Sequence, residues 1–284
     1  MFQARALLLR LRFKVMAYFG VDFHRAKREW LYPKQKQQGF WRAVGIFVLL
    51  FAIFQVFQVI ISLLVYKFGF GHSLMALMET PTTLSPNIMK AFLVSMFPAA
   101  IPTLILGLYL SKFGLPHRAG TLPLSWPNLG AGGWIAIILG FVVLMLVLMN
   151  LVYWVSGFDS AIDSGLVENM MSNMAKEPIL YILALPSIIL AAPLAEEFLF
   201  RGVLFSGLSN SYVGRAGAVV ITSALWSLAH AGPAPWINVG LIFIMGLVLG
   251  ILLLRFGSLW VTIACHLVWN GLTSLMLFVL GTSL

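Results

Sequence analysis

From Ala43 to Tyr66 the chain runs 24 residues without a charged side chain. At about 1.5 Å per residue a helix of that length crosses the roughly 30 Å of hydrocarbon in a bilayer. Inside lipid the backbone must satisfy its own hydrogen bonds, which a helix does within one segment. Further apolar runs follow at about 91–111, 132–154, 178–208, 216–232, 237–254 and 258–280. Between the early ones, Pro81, Pro86, Pro116 and Pro127 mark loops. The expected fold is therefore all-α, a polytopic membrane bundle of about seven transmembrane helices. An eighth arises if 178–208 breaks at Pro193. Gln55 and Gln58, within the first span, are expected to face other helices. No internal repeat is visible, so the symmetry of many transporters finds no support.

Composition supports the same class. Hydrophobic residues make up 61% of the 284 and charged residues only 10%, against roughly 25% charged in soluble proteins. The single cysteine, Cys265, excludes an intrachain disulfide and a cysteine-rich metal site. The net charge of +9 is unevenly spread. Ten of the eighteen Lys and Arg lie in the first 42 positions, opposed only by Asp22 and Glu29. Directly ahead of a spanning helix, such a segment reads as cytoplasmic and facing anionic lipid rather than nucleic acid. Residues 5–20 mix leucines with Arg10, Arg12 and Lys14, a pattern for an amphipathic helix on the membrane surface. With the N-terminus inside, Lys112, Arg118, Arg215 and Arg255 fall inside and the acidic loop 155–177 outside. Lys67 and Lys90 are the exceptions. This division suggests residues 1–42 as a basic cytoplasmic segment, 43–177 as N-terminal transmembrane helices and 178–284 as a catalytic helical core.

That core carries Ala195-Glu196-Glu197-Phe198-Leu199-Phe200-Arg201. Nine carboxylates exist in the whole chain, and two are adjacent here at membrane depth. An acid there costs about 2.5–3.5 kcal/mol on insertion scales, so it marks a functional site. Glu197 and Arg201 are four apart on a helix and pair in the favourable order. Glu196 lies about 100° away around the helix and lacks that partner. One carboxylate is thus structural and the other is available as a base. Of five histidines, only His230 and His266 fall in apolar runs. Trp226 precedes His230 by four residues, and Asn270 follows His266 by four, so each pair shares a helix face. Helix rise puts Glu196, His230, His266 and Asn270 at about 18, 22, 14 and 20 Å from the cytoplasmic ends of their helices.

Two chemistries fit this set. A carboxylate and an imidazole on one water form a general base, with a second imidazole and an amide as an oxyanion site. Alternatively Glu196, His230 and His266 are the three protein ligands of a catalytic Zn2+. A metal-free mechanism is equally open, and the Asn270 amide suits an oxyanion donor better than a ligand shell. A proton-coupled transporter using the same residues is a further alternative.

Glu196-Glu197-x-x-x-Arg201, an aromatic-x-x-x-His230 and His266-x-x-x-Asn270, in this order on separate spans, resemble the CPBP family of intramembrane proteases. This is the family of CaaX prenyl endopeptidases and bacterial Abi proteins. The resemblance covers about residues 178–280. It implies an intramembrane endopeptidase of the bacterial-type plasma membrane, acting on a membrane-embedded or membrane-proximal peptide. Glu196 and His230 would activate the water, Glu197 and Arg201 would support them, and His266 and Asn270 would polarise the scissile carbonyl. A non-catalytic scaffold or immunity-type protein of the same family is the alternative. Trp226 stands where phenylalanine is usual, a mild change at a packing position.

Overall fold

The computed structural model describes residues 40–71, 73, 86–110, 122–156, 182, 185–231 and 236–281. The basic segment before residue 40, with its amphipathic stretch, and most of the acidic loop lie outside these residues. Among the described residues there are helices and no strands. Helix α1 (Phe40–Leu64) ends in a widened π turn, Val65–Gly69. It is followed by α2 (Pro86–Tyr109), α3 (Ala131–Ser156), α4 (187–209), α5 (Gly214–Ala229), α6 (Trp236–Phe256) and α7 (Leu259–Gly281).

Among the described residues, seven helices thus match the expected polytopic bundle, and five of them are long and apolar enough to cross a membrane by length and composition. The other two are α4 and α5. Helix α5 has 16 residues, about 24 Å at the α-helical rise. Helix α4 alternates π turns (Ser187–Ala191 and Glu197–Leu204) with short α segments (Ala192–Glu196 and Phe205–Ser209). A π turn bonds i to i+5 and accommodates an extra residue, a device common at functional sites.

Sequential helices run in alternating directions, and their ends are tied together. The Phe40 ring lies 5.4 Å from that of Tyr212 at the α4–α5 junction. The segment 122–130 lies across the start of α7: the Leu259 N–H donates to Pro123 O at 2.7 Å, Ser258 Oγ to Ser125 O at 2.7 Å and Trp260 Nε1 to Leu124 O at 2.9 Å. This end of the bundle carries Arg42, Arg215 and Arg255 and is called the basic end below. The other end carries the start of α2, the end of α3, the start of α4 and the α5–α6 connection.

Lipid is as apolar as leucine, so helices associate in membranes through close packing and hydrogen bonds. Both occur here. Gln58 of α1 is buried and donates to Ser95 Oγ (2.7 Å) and Phe92 O (2.6 Å) of α2, while Ser62 Oγ lies 2.7 Å from Ser95 Oγ. Gln55 differs from expectation: it is exposed. Three residues from Gln58, it lies toward the flank of the α1 face that meets α2. Helices α5 and α6 meet over Gly246 and Gly250, a small-xxx-small pair facing Ser223 and Val219. Helices α1 and α2 also press directly on α4, through Phe47 against Phe200 (5.0 Å between rings) and Gly107 against Phe198. One apolar cluster runs through α1, α3, α4, α5, α6 and α7.

A Cβ at position 246 would stand 2.8 Å from Ser223 Cβ and 3.1 Å from its Cα, a backbone neighbour that cannot swing away. Gly246→Leu should therefore cost about 1–3 kcal/mol through overpacking. Thermal unfolding of the detergent-solubilised protein, against Gly240→Leu where nothing lies within 4 Å, measures it.

Candidate functional site

The site is assembled on α4, where the Pro193-Leu-Ala-Glu196-Glu197 turn passes from α into π geometry. The two adjacent glutamates point to different places. Glu197 is fully buried, and its Oε1 accepts from Arg201 Nη1 at 3.0 Å and from His266 Nδ1 at 3.0 Å. Arg201 is equally buried. Its guanidinium carbon stands 4.3 Å from the Trp226 ring centroid, a cation–π contact that matters more out of water. Nε and Nη2 of Arg201 have no hydrogen-bond partner, so the indole face and Glu197 supply its compensation. The expected Glu197–Arg201 pair is thus present, and it also fixes a histidine on another helix.

Glu196 is part-exposed, at 23% of its side chain. Its Oε2 accepts from Trp226 Nε1 of α5 at 2.7 Å. Its Oε1 stands 3.9 Å from His230 Nε2, and its Oε2 stands 3.9 Å from His266 Nε2. Those separations are too long for direct hydrogen bonds, but one water can touch the carboxylate and an imidazole together. The tautomers follow from the other ring nitrogens. His230 Nδ1 lies 2.8 Å from Trp226 O, and a carbonyl only accepts, so Nδ1 carries hydrogen and neutral Nε2 presents a lone pair. His266 Nδ1 faces the Glu197 carboxylate in the same way, which leaves Nε2 toward Glu196. The Trp226 indole packs edge-on against both imidazoles, 5.3 Å from each centroid.

Three of the six residues singled out in the sequence, Glu196, His230 and His266, therefore converge, and Glu197 and Arg201 stand behind them. Asn270 shares the α7 face, but its Nδ2 donates to Ile188 O at 3.0 Å. One of its two amide hydrogens thus holds the start of α4 against α7. His230 is not inside a helix: α5 ends at Ala229, and His230 terminates it at φ −98°, ψ 1°. Gly232 and Pro233 follow in the sequence, a pair that marks a turn or loop near this point. The sequence pattern makes Trp226 a packing position. Its indole nitrogen proves to be the hydrogen-bond donor to Glu196, a role no phenylalanine could fill.

The donor types suit zinc, with each Nδ1 tied as a metal-bound histidine requires. The placement does not. Ligand atoms on a tetrahedral zinc stand about 3.4 Å apart, shorter than either 3.9 Å separation, and Glu196 Oε2 is already held by Trp226. Among the described residues, no three His, Cys, Asp or Glu side chains are grouped to hold a metal ion.

Residues 178–272 match the family model Rce1-like, described as type II CAAX prenyl endopeptidase Rce1-like. The match takes in about a third of the chain, from just before α4 to just past Asn270, and contains every residue of the site. No curated protein and no solved structure matches the chain. The family resemblance carried by the three motifs and the family match therefore fall on the same stretch. At family level the match is to a membrane endopeptidase.

Two substitutions separate the layers of the site. Glu197→Gln leaves Arg201 buried without its counter-charge, at a cost of about 3–5 kcal/mol, and should lower the melting temperature or the yield of folded protein. Trp226→Phe keeps the ring and removes the donor to Glu196. A hydrogen bond to a charged group contributes about 1.5–3 kcal/mol. If that contribution is expressed at the transition state, turnover falls by roughly tenfold or more. Melting and peptide cleavage measured side by side should show a stability loss for the first and an activity loss exceeding any stability loss for the second.

Proposed function

We propose that the chain is an intramembrane endopeptidase in which Glu196 is the general base. The observation that carries this reading is the convergence of the Glu196 carboxylate with two imidazole Nε2 atoms at 3.9 Å, in the one part-exposed portion of an otherwise sealed charge cluster. A water between Glu196 Oε1 and His230 Nε2 loses its proton to the carboxylate as its oxygen attacks the scissile carbonyl. The carbonyl oxygen takes up the negative charge. His266, which Glu197 holds at Nδ1, is one donor to it, through the Nε2–H of its imidazolium form. The second N–H of the Asn270 amide is the other donor. The C–N bond then breaks as Glu196 returns its proton to the leaving amine. Glu197 and Arg201 position His266 and Trp226 and take no part in proton transfer.

No step needs a metal. The arrangement of a histidine oriented by a buried carboxylate is one that hydrolases use to hold a tautomer and stabilise an imidazolium. The orientation we propose places the basic end in the cytoplasm. Arg42, Arg215 and Arg255 lie there, and the segment joining α2 to α3 at that end contains Lys112 and Arg118. The basic N-terminal segment then faces anionic lipid on the same side. The substrate is a peptide segment in or next to the bilayer.

Purified protein reconstituted with membrane peptides tests this. Glu196→Gln should melt like the parent and show no cleavage, because an amide cannot accept the water's proton. Chelator treatment, with metal content measured afterwards, should leave activity unchanged. Cleavage by Glu196→Gln, or loss of activity on chelation restored by zinc, would overturn the assignment.

A further inference from the structure

Burial around the site is lopsided along the bundle axis. Toward the basic end, α4 is closed: Glu197 and Arg201 are fully buried, as are Leu204, Phe205 and Leu208 beyond them. The start of α7 is equally closed at Leu259, Val261 and Thr262. The segment 122–130 lies over this region, with Leu122 against Gly202 and three hydrogen bonds to residues 258–260. Toward the opposite end, exposure rises. The side chain of Glu196 is 23% exposed and that of His230 37%, and Ala229 beside it is exposed.

His230 also lies at the limit of α5. Counted from Gly214, next to Arg215, it is about 24 Å along the helix, in a hydrocarbon core of roughly 30 Å. It therefore stands at the end of α5 farthest from the basic end. The segment joining α3 to α4 at that opposite end contains Asp159, Asp163, Glu168 and Glu177 against Lys176 alone. Charge thus sets the basic end inside, and burial opens the site at the other end.

We infer that the mouth of the site faces the extracytoplasmic side, so that the substrates are exported or outward-facing juxtamembrane peptide segments. This rests on the peptidase reading above and adds the side from which water and substrate enter. Water reaches Glu196 and His230 without crossing the packed layer between Arg201 and Ser209. A chain entering from the cytoplasm would have to displace the 122–130 segment and the buried Glu197–Arg201–His266 cluster.

The natural chain is suited to a direct test, because its single cysteine, Cys265, is buried. Ala231→Cys places a thiol next to His230. Trp126→Cys places one on an exposed position at the sealed end. In intact cells a membrane-impermeant maleimide should label Ala231→Cys as fully as in permeabilised cells. Trp126→Cys should be labelled only after permeabilisation. Labelling of Trp126→Cys in intact cells, or an Ala231→Cys thiol that is unlabelled until permeabilisation or at any stage, overturns the proposal. In a second arm, single-span test proteins carry the same randomised segment beside the membrane, either outside or inside, and cleavage is read by mass spectrometry. Cutting of the outward segment alone is the expected result, and cutting of the inward one overturns the inference. If Ala231→Cys is labelled from outside while neither segment is cut, the peptidase reading fails and the assignment of the mouth stands.

Discussion

A carboxylate with no exposure at all, Glu197, accepts from an arginine with none and from a histidine nearly as buried. Three ionisable groups in one apolar interior are costly unless each compensates another, since desolvating a charge costs several kcal/mol even after relaxation. The bundle is arranged around that requirement. Arg201 reaches Glu197 along α4, His266 reaches it from α7, and Trp226 of α5 closes the arginine's open face. Three helices are thereby fixed in register at one point. A shift of α7 by one residue would turn His266 about 100° away from Glu197 and leave the cluster under-satisfied.

What surrounds this point is packing of the kind lipid demands. Glycines on α6 let α5 approach closely, and Gly107 of α2 lets Phe198 of α4 lie against its backbone. The contact matters for the site because α5 carries Trp226 and His230, while α4 carries both glutamates. The N-terminal helices α1 and α2 are therefore part of the wall behind the site, through Phe47 on Phe200 and Gly107 on Phe198.

Much of this was readable from residue spacing. Apolar runs long enough to span gave the helical bundle, although Pro86, read as a loop residue, proves to open α2. The i,i+4 spacing of Glu197 and Arg201 gave their pair, because it depends on one helix alone. Contacts between helices were less legible. Nothing local distinguishes a tryptophan that fills space from one whose indole N–H meets a carboxylate thirty residues away. Asn270 looked like a donor to a ligand, yet one of its hydrogens goes to Ile188 O, a backbone atom that no side-chain pattern reveals. The π turns of α4 were also hidden, since they reflect how the helix fits its neighbours rather than a propensity of its residues. Gln55 was misread for a related reason. In a nearly uniform apolar helix, one polar residue does not say which face is buried.

The two adjacent glutamates differ because of where the helix turns them. Glu197 points into the junction of α4, α5 and α7, where every direction is occupied by protein. Glu196 points along the surface between α4 and α5, where one oxygen is held by Trp226 and both oxygens face imidazole nitrogens across 3.9 Å. A carboxylate sealed in the protein interior is out of reach of a reactant, and an unheld one would rotate freely. Glu196 sits between these extremes: one donor fixes its plane, and partial exposure leaves it in reach of water. The same geometry explains why the histidines present Nε2 rather than Nδ1. Each Nδ1 is spent on a fixed acceptor, Trp226 O or Glu197, so the remaining nitrogen of each ring is aimed at Glu196 by the fold itself.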